Sequence, residues 1–359
     1  MSIHFHKLRV KEVRRETDDC VSISFEIPPD LAASFLFQHG QNVTVKKEIA
    51  GEEIRRSYSI CSAPHEGELR IAVKRVGGGA FSSFANDELK AGDELQLLPP
   101  TGTFTTSLNP AQTKHYLALA AGSGITPVIS IIKTILQAEA GSSFTLVYGN
   151  KNRASIIFFE ELQALKNLYI NRFNIIYVLS REKTEIALHT GRINIEKLTE
   201  LSGILPFSAF DDIFICGPEA MIFAVKEYLE QRNIDKRKIH FELFTTPGQK
   251  KSTAGVLPTR EISTASKSKV TIKLDGRSMD FDLAFDEEAI LDAALKQGAD
   301  LPYACKGGVC CTCKAKLIEG EVEMDVHWGL EDDEIEQGYI LTCQSHPKSG
   351  KVVVDFDIK

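Results

Sequence analysis

Four cysteines near the C-terminus have the spacing of iron–sulfur ligands, C-x4-C-x2-C followed by a distant fourth cysteine: Cys305, Cys310, Cys313 and Cys343. Four thiolates with this spacing hold the two irons of a plant-type [2Fe-2S] cluster. Gly307 and Gly308 lie within the first interval. Because glycine carries no side chain, a loop there can bring backbone N–H groups close to the sulfur atoms. The cysteines therefore predict one-electron chemistry at a [2Fe-2S] cluster.

A structural zinc site and buried free cysteines are the alternative interpretations. Zinc sites usually combine two C-x2-C pairs, and this chain lacks that arrangement. Cys311 is a fifth cysteine that lies between two of the four and outside their spacing. We therefore expect the cluster interpretation to hold and Cys311 to bind no iron.

A flavin is the expected intermediary, because a cluster that accepts single electrons cannot accept a hydride from a nicotinamide. Residues 56–59 (RSYS) offer a cation for a phosphate and an aromatic ring and hydroxyl for the flavin. Residues 77–83 (GGGAFSS) precede a short helical stretch, and glycines at a helix N-terminus let N–H groups approach a pyrophosphate. Taken alone, the first segment could be a surface arginine beside a half-buried tyrosine, and the second could be a flexible loop. Lys74 and the loop 100–104 nearby favour the flavin.

Two turns with glycine and proline follow apolar strands in the middle of the chain. Residues 121–127 (AGSGITP) place Pro127 in the first turn of a helix, whose positive end can face a dinucleotide. Residues 216–218 (CGP) end a second strand. Ligands bind at the carboxyl ends of strands in open α/β sheets, so the two turns together predict a nicotinamide site. Taken alone, the first turn could be only a tight connection between a strand and a helix, and the second could hold only a buried cysteine. The first turn lacks the G-x-G-x-x-G fingerprint, because Pro127 stands where the third glycine would be.

The pattern of the elements that position these residues changes along the chain. Short alternating runs such as 21–27 and 69–74 predict an antiparallel β-barrel. Strands that alternate with helices then predict a parallel α/β sheet, with strands over 116–120, 145–148, 175–179 and 212–216. We expect a multidomain all-β and α/β protein with four parts: a barrel over 1–109, an α/β domain over 110–245, a linker over 246–268 and a C-terminal domain over 269–359.

The linker prediction depends on composition, because residues 246–268 are rich in Ser, Thr, Pro, Gly and Lys and poor in large apolar side chains. Such a segment is typical of a flexible connection. Beyond it, a strand over 270–274 and a helix over 286–295 are predicted.

The overall composition is that of a soluble globular protein, with 359 residues of which 43% are hydrophobic and 25% charged. A formal net charge of -7 argues against a general nucleic-acid or anionic-membrane binder. The first ten residues lack the apolar stretch of a signal peptide, so a cytoplasmic protein with reduced thiols is expected. Glycines, Pro127 and Lys133 interrupt the apolar stretch 116–136, which argues against a membrane span.

The segments RSYS, GGGAFSS, AGSGITP and CGP together, in this order, resemble the ferredoxin-NADP⁺ reductase superfamily. The segment CKGGVCCTC with Cys343 resembles plant-type ferredoxins, so the resemblance covers nearly the whole chain. A barrel, a nicotinamide domain and a β-grasp ferredoxin in this order resemble the reductase components of multicomponent oxygenases, and among these the reductases of phenylacetyl-CoA epoxidases.

The resemblance implies roles for residues outside the cysteine set. The catalytic set that it implies, at the flavin and nicotinamide, is Tyr58, Ser59, Thr126 and Cys216. The flavin set that it implies is Arg56, Tyr58, Ser59, Lys74, Gly79, Ser82, Glu242 and Phe244. For the nicotinamide cofactor it implies Gly122, Gly124, Thr126, Gly217, Ser180 and Arg181, the last two at the 2′-phosphate of NADPH.

The expected function is an NAD(P)H-dependent reductase that passes electrons from NADPH through FAD and the [2Fe-2S] cluster to a di-iron oxygenase component. Hydride transfer needs no acid–base side chain, since it depends on stacking the nicotinamide against the flavin. Three other acceptors remain alternatives: a Rieske hydroxylase, a steroid hydroxylase and a hybrid-cluster protein. A redox-sensing regulator is the alternative from another class of protein.

Overall fold

The structure is a computed structural model that describes residues 4–245, 267–285 and 287–358. These residues form three β-sheets of five or six strands and one small two-stranded sheet. Within the described ranges, every helix is too short or too polar to cross a membrane.

The N-terminal sheet is antiparallel, and its six strands lie in the order β4-β3-β6-β1-β2-β5. The strands are β1 His6–Thr17, β2 Cys20–Glu26, β3 Asn42–Ile49, β4 Glu52–Ser59, β5 Leu69–Lys74 and β6 Glu94–Leu97. Ile60 pairs with Ile71, which brings the ends of the sheet together and closes a barrel around an apolar core. Helix α1, Ala80–Asp87, lies after β5. The predicted antiparallel barrel is confirmed.

The central sheet is parallel, with five strands in the order β11-β10-β7-β8-β9. The strands are β7 His115–Ala121, β8 Ser143–Asn150, β9 Phe173–Leu179, β10 Asp212–Cys216 and β11 Ile239–Glu242. Its helices are α2 Ile125–Ala138, α3 Phe159–Leu168, α4 Ile195–Leu201 and α5 Glu219–Glu230. Chain order reverses between β7 and β10, so this sheet has the switch point where α/β folds bind ligands.

The C-terminal sheet is mixed, with strands in the order β13-β12-β18-β14-β16 and a small β15-β17 pair beside it. The strands are β12 Lys267–Leu274, β13 Arg277–Ala284, β14 Lys314–Glu319, β15 Val322–Met324, β16 Tyr339–Leu341, β17 Ser345–Pro347 and β18 Lys351–Asp355. Helices α6, Ile290–Lys296, and α7, Asp332–Glu336, complete the unit. This is the β-grasp arrangement that the resemblance implied.

Two sequence predictions in the C-terminal unit need correction. The expected linker includes Lys267 and Ser268, but both belong to β12, because Ser268 is fully buried and paired opposite Leu283. The helix predicted over 286–295 begins at Ile290, and position 286 lies outside the described residues. Most of the predicted linker, residues 246–266, also lies outside them.

Candidate functional site

The four predicted cluster cysteines lie in two pairs. The thiols of Cys305 and Cys310 are hydrogen-bonded to each other, which lowers the pKa of Cys305 to about 6 and raises that of Cys310. In the same way, a hydrogen bond between the thiols of Cys313 and Cys343 lowers the pKa of Cys343 and raises that of Cys313. Gly307 N–H donates to Cys305 Sγ at 3.3 Å. Cys305 N–H donates to Cys310 Sγ at 3.4 Å, so the loop gathers four sulfur atoms and directs backbone amides at two of them.

The backbone of the cluster loop leaves little room for side chains at Gly308. Gly308 has a positive φ of 74°, and a Cβ there would lie 2.7 Å from Val326 Cγ2. The loop is therefore closely packed, and Cys305, Cys310, Cys313 and Cys343 could hold a [2Fe-2S] cluster that exchanges one electron at a time.

The Cys311 side chain is buried and faces the loop that follows β6. Its Sγ lies 3.8 Å from Thr101 Oγ1, and burial raises the pKa of its thiol to about 11. Its backbone has a positive φ of 38°. The position agrees with the expectation that Cys311 binds no iron, which stays a prediction.

The predicted flavin residues lie on β4 and the turn after β5. The Tyr58 ring packs at 5.5 Å from that of Phe81, and burial raises the pKa of Tyr58, so its hydroxyl stays protonated. Arg56 is exposed and donates from Nη1 to the carbonyl of Arg55 at 2.7 Å. Ser59 is buried at the end of β4, and its hydroxyl contacts the central sheet. An aromatic ring, a hydroxyl and a solvent-facing cation therefore line one strand.

The turn before α1 is closed by a serine. Ser82 Oγ accepts from Val76 N–H at 3.1 Å and donates to Gly79 O at 3.1 Å. A Cβ at Gly79 would lie 2.6 Å from Ser82 Oγ, so only glycine fits without a shift. Lys74 Nζ lies 3.7 Å from the Asp19 carboxylate and so carries a partner already. The turn presents backbone N–H groups at the start of α1, as a pyrophosphate site requires.

The two predicted nicotinamide turns are in contact at the switch point of the central sheet. A Cβ on Gly124 would overlap the Cys216 carbonyl oxygen and lie 2.8 Å from Gly217 N. Gly122 has a positive φ of 55°, and its carbonyl accepts from a tyrosine hydroxyl. Thr126 is buried and donates to the Ser123 carbonyl at 3.0 Å. Glycine at position 124 is therefore required for the two turns to meet.

The barrel and the central sheet meet at Glu242. Its carboxylate accepts a 2.9 Å hydrogen bond from Ser59 Oγ, and it lies beside Cys216 in the β10–β11 register. Burial raises the pKa of Glu242 to about 7, with the Ser59 hydrogen bond opposing the rise. Burial also raises the pKa of the Cys216 thiol well above its usual value. Phe244, two residues on, is 41% exposed. Ser59 and Glu242 can thus hold a proton where the two predicted cofactor sites adjoin.

Ser180 and Arg181 follow the end of β9, at the same sheet edge but two strands from β7. Ser180 Oγ donates to the Asn150 carbonyl at 3.2 Å. The Arg181 side chain is exposed, and no carboxylate among the described residues lies within ion-pair distance of its guanidinium. The arginine is therefore available to an anionic ligand.

Sequence reasoning missed the residues that join the cluster loop to the barrel. Thr44 Oγ1 lies 3.1 Å from Thr312 Oγ1, and Arg55 Nη1 donates to the Leu301 carbonyl at 3.1 Å. These partners are 268 and 246 positions apart in the chain. No local motif identifies these four residues. The one local sign was the pair of consecutive arginines before Ser57, of which the first makes the contact.

A cleft elsewhere has no predicted cofactor residue in its lining. It has a volume of about 1110 Å³ and lies between β1 and the start of α3. Arginines and glutamates alternate around it, including Arg14, Arg153, Glu160 and Glu182. Because both signs of charge are present, the cleft favours no ligand class by electrostatics.

Family models match all three parts of the chain. Residues 7–106 match an oxidoreductase FAD-binding domain, 118–227 an oxidoreductase NAD-binding domain and 272–348 a 2Fe-2S iron-sulfur cluster binding domain. The matched ranges contain the barrel, the switch-point turns and the four cysteines, respectively.

Curated relatives match over almost their whole length. The chain is 43% identical over 357 residues to one component of the 1,2-phenylacetyl-CoA epoxidase of Escherichia coli strain K12, covering 99% of this chain and 98% of that protein. It is 31% identical to the ferredoxin reductase component of 3-ketosteroid-9-alpha-monooxygenase from Rhodococcus rhodochrous, covering 97% and 96%. Among solved structures, phthalate dioxygenase reductase matches with a TM-score of 0.59 and 25% identity, covering 98% of each chain.

Proposed function

The chain belongs to the ferredoxin-NADP⁺ reductase superfamily, among reductases that carry a C-terminal [2Fe-2S] domain, and on that premise we propose that it transfers electrons from NADPH to the di-iron oxygenase component of a phenylacetyl-CoA epoxidase. It is an NAD(P)H-dependent oxidoreductase that uses FAD and a [2Fe-2S] cluster. FAD accepts the two electrons of a hydride and releases them singly.

One observation supports the electron route above the others. Strand β4 and its neighbour β3 contact both other units, the central sheet through Ser59 and Glu242 and the cluster loop through Thr44 and Thr312. A flavin held along β4 would thus have the nicotinamide turns on one side and the cluster on the other. Such proximity is what hydride transfer and single-electron transfer each require.

Individual residues have the following proposed tasks. Arg56 and the turn at Gly79 and Ser82 bind phosphate groups of the flavin, with Lys74 beside them. Tyr58 packs against the flavin ring, and Ser59 with Glu242 holds a proton next to it. These assignments use groups that lie on β4, at the end of β5, on β11 or at the α1 N-terminus.

The nicotinamide cofactor has its own proposed contacts. Gly122, Gly124 and Gly217 let backbone approach the dinucleotide, while Thr126 and Cys216 lie where the nicotinamide meets the flavin. Phe244 covers that position, because it is exposed two residues beyond Glu242, the last residue of β11. Ser180 and Arg181 receive the 2′-phosphate, since a guanidinium fork and a hydroxyl match that group.

The experiment is reconstitution with purified oxygenase components. The protein is mixed with NADPH, O₂ and the oxygenase component of the 1,2-phenylacetyl-CoA epoxidase, and loss of phenylacetyl-CoA is followed by chromatography. We expect NADPH-dependent turnover that stops when the reductase is omitted. A parallel mixture with the oxygenase component of 3-ketosteroid-9-alpha-monooxygenase is the control. Turnover only in the steroid mixture would assign the chain to the other acceptor.

A further inference from the structure

Arg55 is a buried cation at the contact between the barrel and the C-terminal unit. It is only 7% exposed, and its Nε donates to Glu53 within the barrel at 2.7 Å. Across the contact, its Nη1 donates to the Leu301 carbonyl at 3.1 Å, and its guanidinium lies 4.1 Å from the centroid of the Tyr303 ring. A buried guanidinium is stable only when its donors and charge are matched. The partners across the contact are therefore part of what keeps Arg55 in place.

The partners of Arg55 lead directly into the cluster loop. Leu301 and Tyr303 precede Cys305 by four and two residues, respectively. Lys306 Nζ lies 4.7 Å from the centroid of the same Tyr303 ring. Arg55 thus contacts the segment that leads to Cys305, the first predicted ligand. Arg55 lies on β4, next to Arg56.

Two threonines fix the other side of the loop. Thr312, between the predicted ligands Cys310 and Cys313, meets Thr44 at 3.1 Å, and both residues are buried. Thr44 is paired with Ser57 in the β3–β4 register, so the loop rests one strand away from the RSYS segment. The Arg55 contact and the Thr44 contact together set the distance and angle between the loop and β4.

The only tryptophan of the chain reports on this docking. Trp328 belongs to the C-terminal unit, and its ring lies 5.8 Å from Phe223 and 6.3 Å from Phe241 of the central unit. Lys226 Nζ lies over the same group of rings. Trp328 is 38% exposed in this docked position. If the C-terminal unit moved away, this ring would gain contact with solvent.

From these contacts we propose that Arg55 is a positioning residue for electron transfer from the flavin to the cluster; the proposal rests on the proposed electron route. With both cofactors bound, each transfer would move one electron from the reduced flavin to one ferric iron of the cluster. NADPH would supply the two electrons of the flavin as a hydride. Arg55 forms no bond to either group. It acts by holding the Tyr303 to Cys305 segment against β4.

The test is stopped-flow reduction of the full-length, cofactor-loaded protein by NADPH, with flavin and cluster absorbance followed separately. In Arg55→Ala we expect flavin reduction within about twofold of wild type and cluster reduction slowed about tenfold or more, since a charged hydrogen bond is lost. Arg55→Lys keeps the charge but loses the planar fork, and should recover only part of the rate. Arg237→Ala, at a side chain 90% exposed, is the matched control.

A second readout needs no turnover. Quenching of Trp328 fluorescence by acrylamide should increase in Arg55→Ala and remain at the wild-type level in Arg237→Ala. Tyr303→Leu removes the stacking from the opposite side of the contact and should reproduce both the slow cluster reduction and the stronger quenching. This variant keeps the test decisive even where loss of the buried cation impairs folding.

Three results would overturn the proposal. Cluster reduction at the wild-type rate in Arg55→Ala would show that Arg55 sets no distance or angle. A parallel fall in flavin content and in both reduction rates would assign Arg55 to barrel stability instead. Unchanged quenching in both Arg55→Ala and Tyr303→Leu would show that docking does not depend on the contact. Failure of the wild-type cluster to accept electrons from NADPH would count against the proposed function, whereas quenching tests the contact by itself.

Discussion

The hydroxyl of Ser59 donates a 2.9 Å hydrogen bond to the carboxylate of Glu242, which joins the last residue of a barrel strand to the last residue of a strand in the central sheet. The two residues are 183 positions apart in the chain. This bond connects the predicted flavin and nicotinamide sites, and several measurable properties depend on it or on residues around it.

Glu242→Gln should remove part of the pH dependence of stability. The folded-state pKa of about 7 lies above the value of 4.5 for an ordinary glutamate. The stability from this proton is therefore complete below about pH 4.5 and is lost as the pH rises through about 7. Between about pH 5 and pH 8, the unfolding free energy of wild type should fall more than that of Glu242→Gln by roughly 1–3 kcal/mol, since one pKa unit corresponds to about 1.4 kcal/mol.

Urea unfolding followed by circular dichroism at several pH values measures this difference. Glu230→Gln is the control, because Glu230 lies on the surface of the same unit with 45% exposure. Equal pH dependence in wild type and Glu242→Gln would contradict the raised pKa.

Cluster content should distinguish Cys311 from the four predicted ligands. The Cys311→Ser protein should keep two irons per chain, because the Cys311 sulfur lies against Thr101 and the residue falls outside the ligand spacing. Serine at any one of the other four positions should abolish the visible spectrum of the cluster, as each pair would lose a thiolate. Iron analysis and absorbance spectra of the five purified variants test the assignment. Loss of the cluster from Cys311→Ser alone would disprove it.

Arg181→Ala should weaken the binding of NADPH more than the binding of NADH. Loss of a charge-assisted hydrogen bond to the 2′-phosphate costs about 1.5–3 kcal/mol, which corresponds to roughly a 10- to 100-fold rise in KM for NADPH. The KM for NADH, which lacks that phosphate, should change less than about twofold. Steady-state reduction of ferricyanide with both donors measures the two values, and Arg237→Ala controls for loss of a surface charge. Equal changes with both donors would exclude a role at the 2′-phosphate.

Gly124→Ala should slow hydride transfer without removing the flavin. A Cβ at this position overlaps the Cys216 carbonyl, so the turn that carries Cys216 and Gly217 must shift. Displacement by about 1 Å at a reacting geometry reduces rates about a hundredfold. Gly350→Ala is the matched control, because a Cβ there meets nothing within 4 Å and the residue lies outside the proposed cofactor sites. Dithionite should still reduce both variants normally, and wild-type rates of reduction by NADPH in Gly124→Ala would refute the argument.

A fragment that ends near Gly248 should separate the two electron-transfer steps. It keeps the matched FAD- and NAD-binding domains and lacks the cluster. We expect it to retain FAD and to pass electrons from NADPH to ferricyanide, which flavins reduce directly, but not to cytochrome c. An insoluble or flavin-free fragment would indicate that the C-terminal unit is needed for the fold of the other two.

Local patterns were sufficient to predict most of the fold. The predicted strand over 212–216 matches β10, and the predicted strand over 175–179 lies within β9. Strong apolar runs between turn residues explain this success. The predicted start of β12 was wrong, because Lys267 and Ser268 continue a polar segment and only their pairing in the sheet reveals a strand. Composition alone could not supply that partner.

The candidate site was predictable to the extent that its residues belong to short motifs. The cysteine spacing indicated the four sulfur atoms that the structure gathers in pairs. Arg55 was not predicted, because a buried arginine and an exposed one look alike until the fold brings Tyr303 to it. Contacts of this kind connect distant parts of the chain, and neither hydrophobic periodicity nor residue propensity contains information about them.

Arg55 and Arg56 are consecutive on β4, and consecutive side chains of a strand point to opposite faces. One face of the strand therefore contacts the docked cluster loop, and the other carries Arg56, which we propose binds a flavin phosphate. By thermodynamic linkage, any factor by which bound flavin strengthens docking equals the factor by which docking strengthens flavin retention. A single β-strand would then make the effect of docking on cofactor retention and the effect of the cofactor on docking two measurements of one coupling free energy.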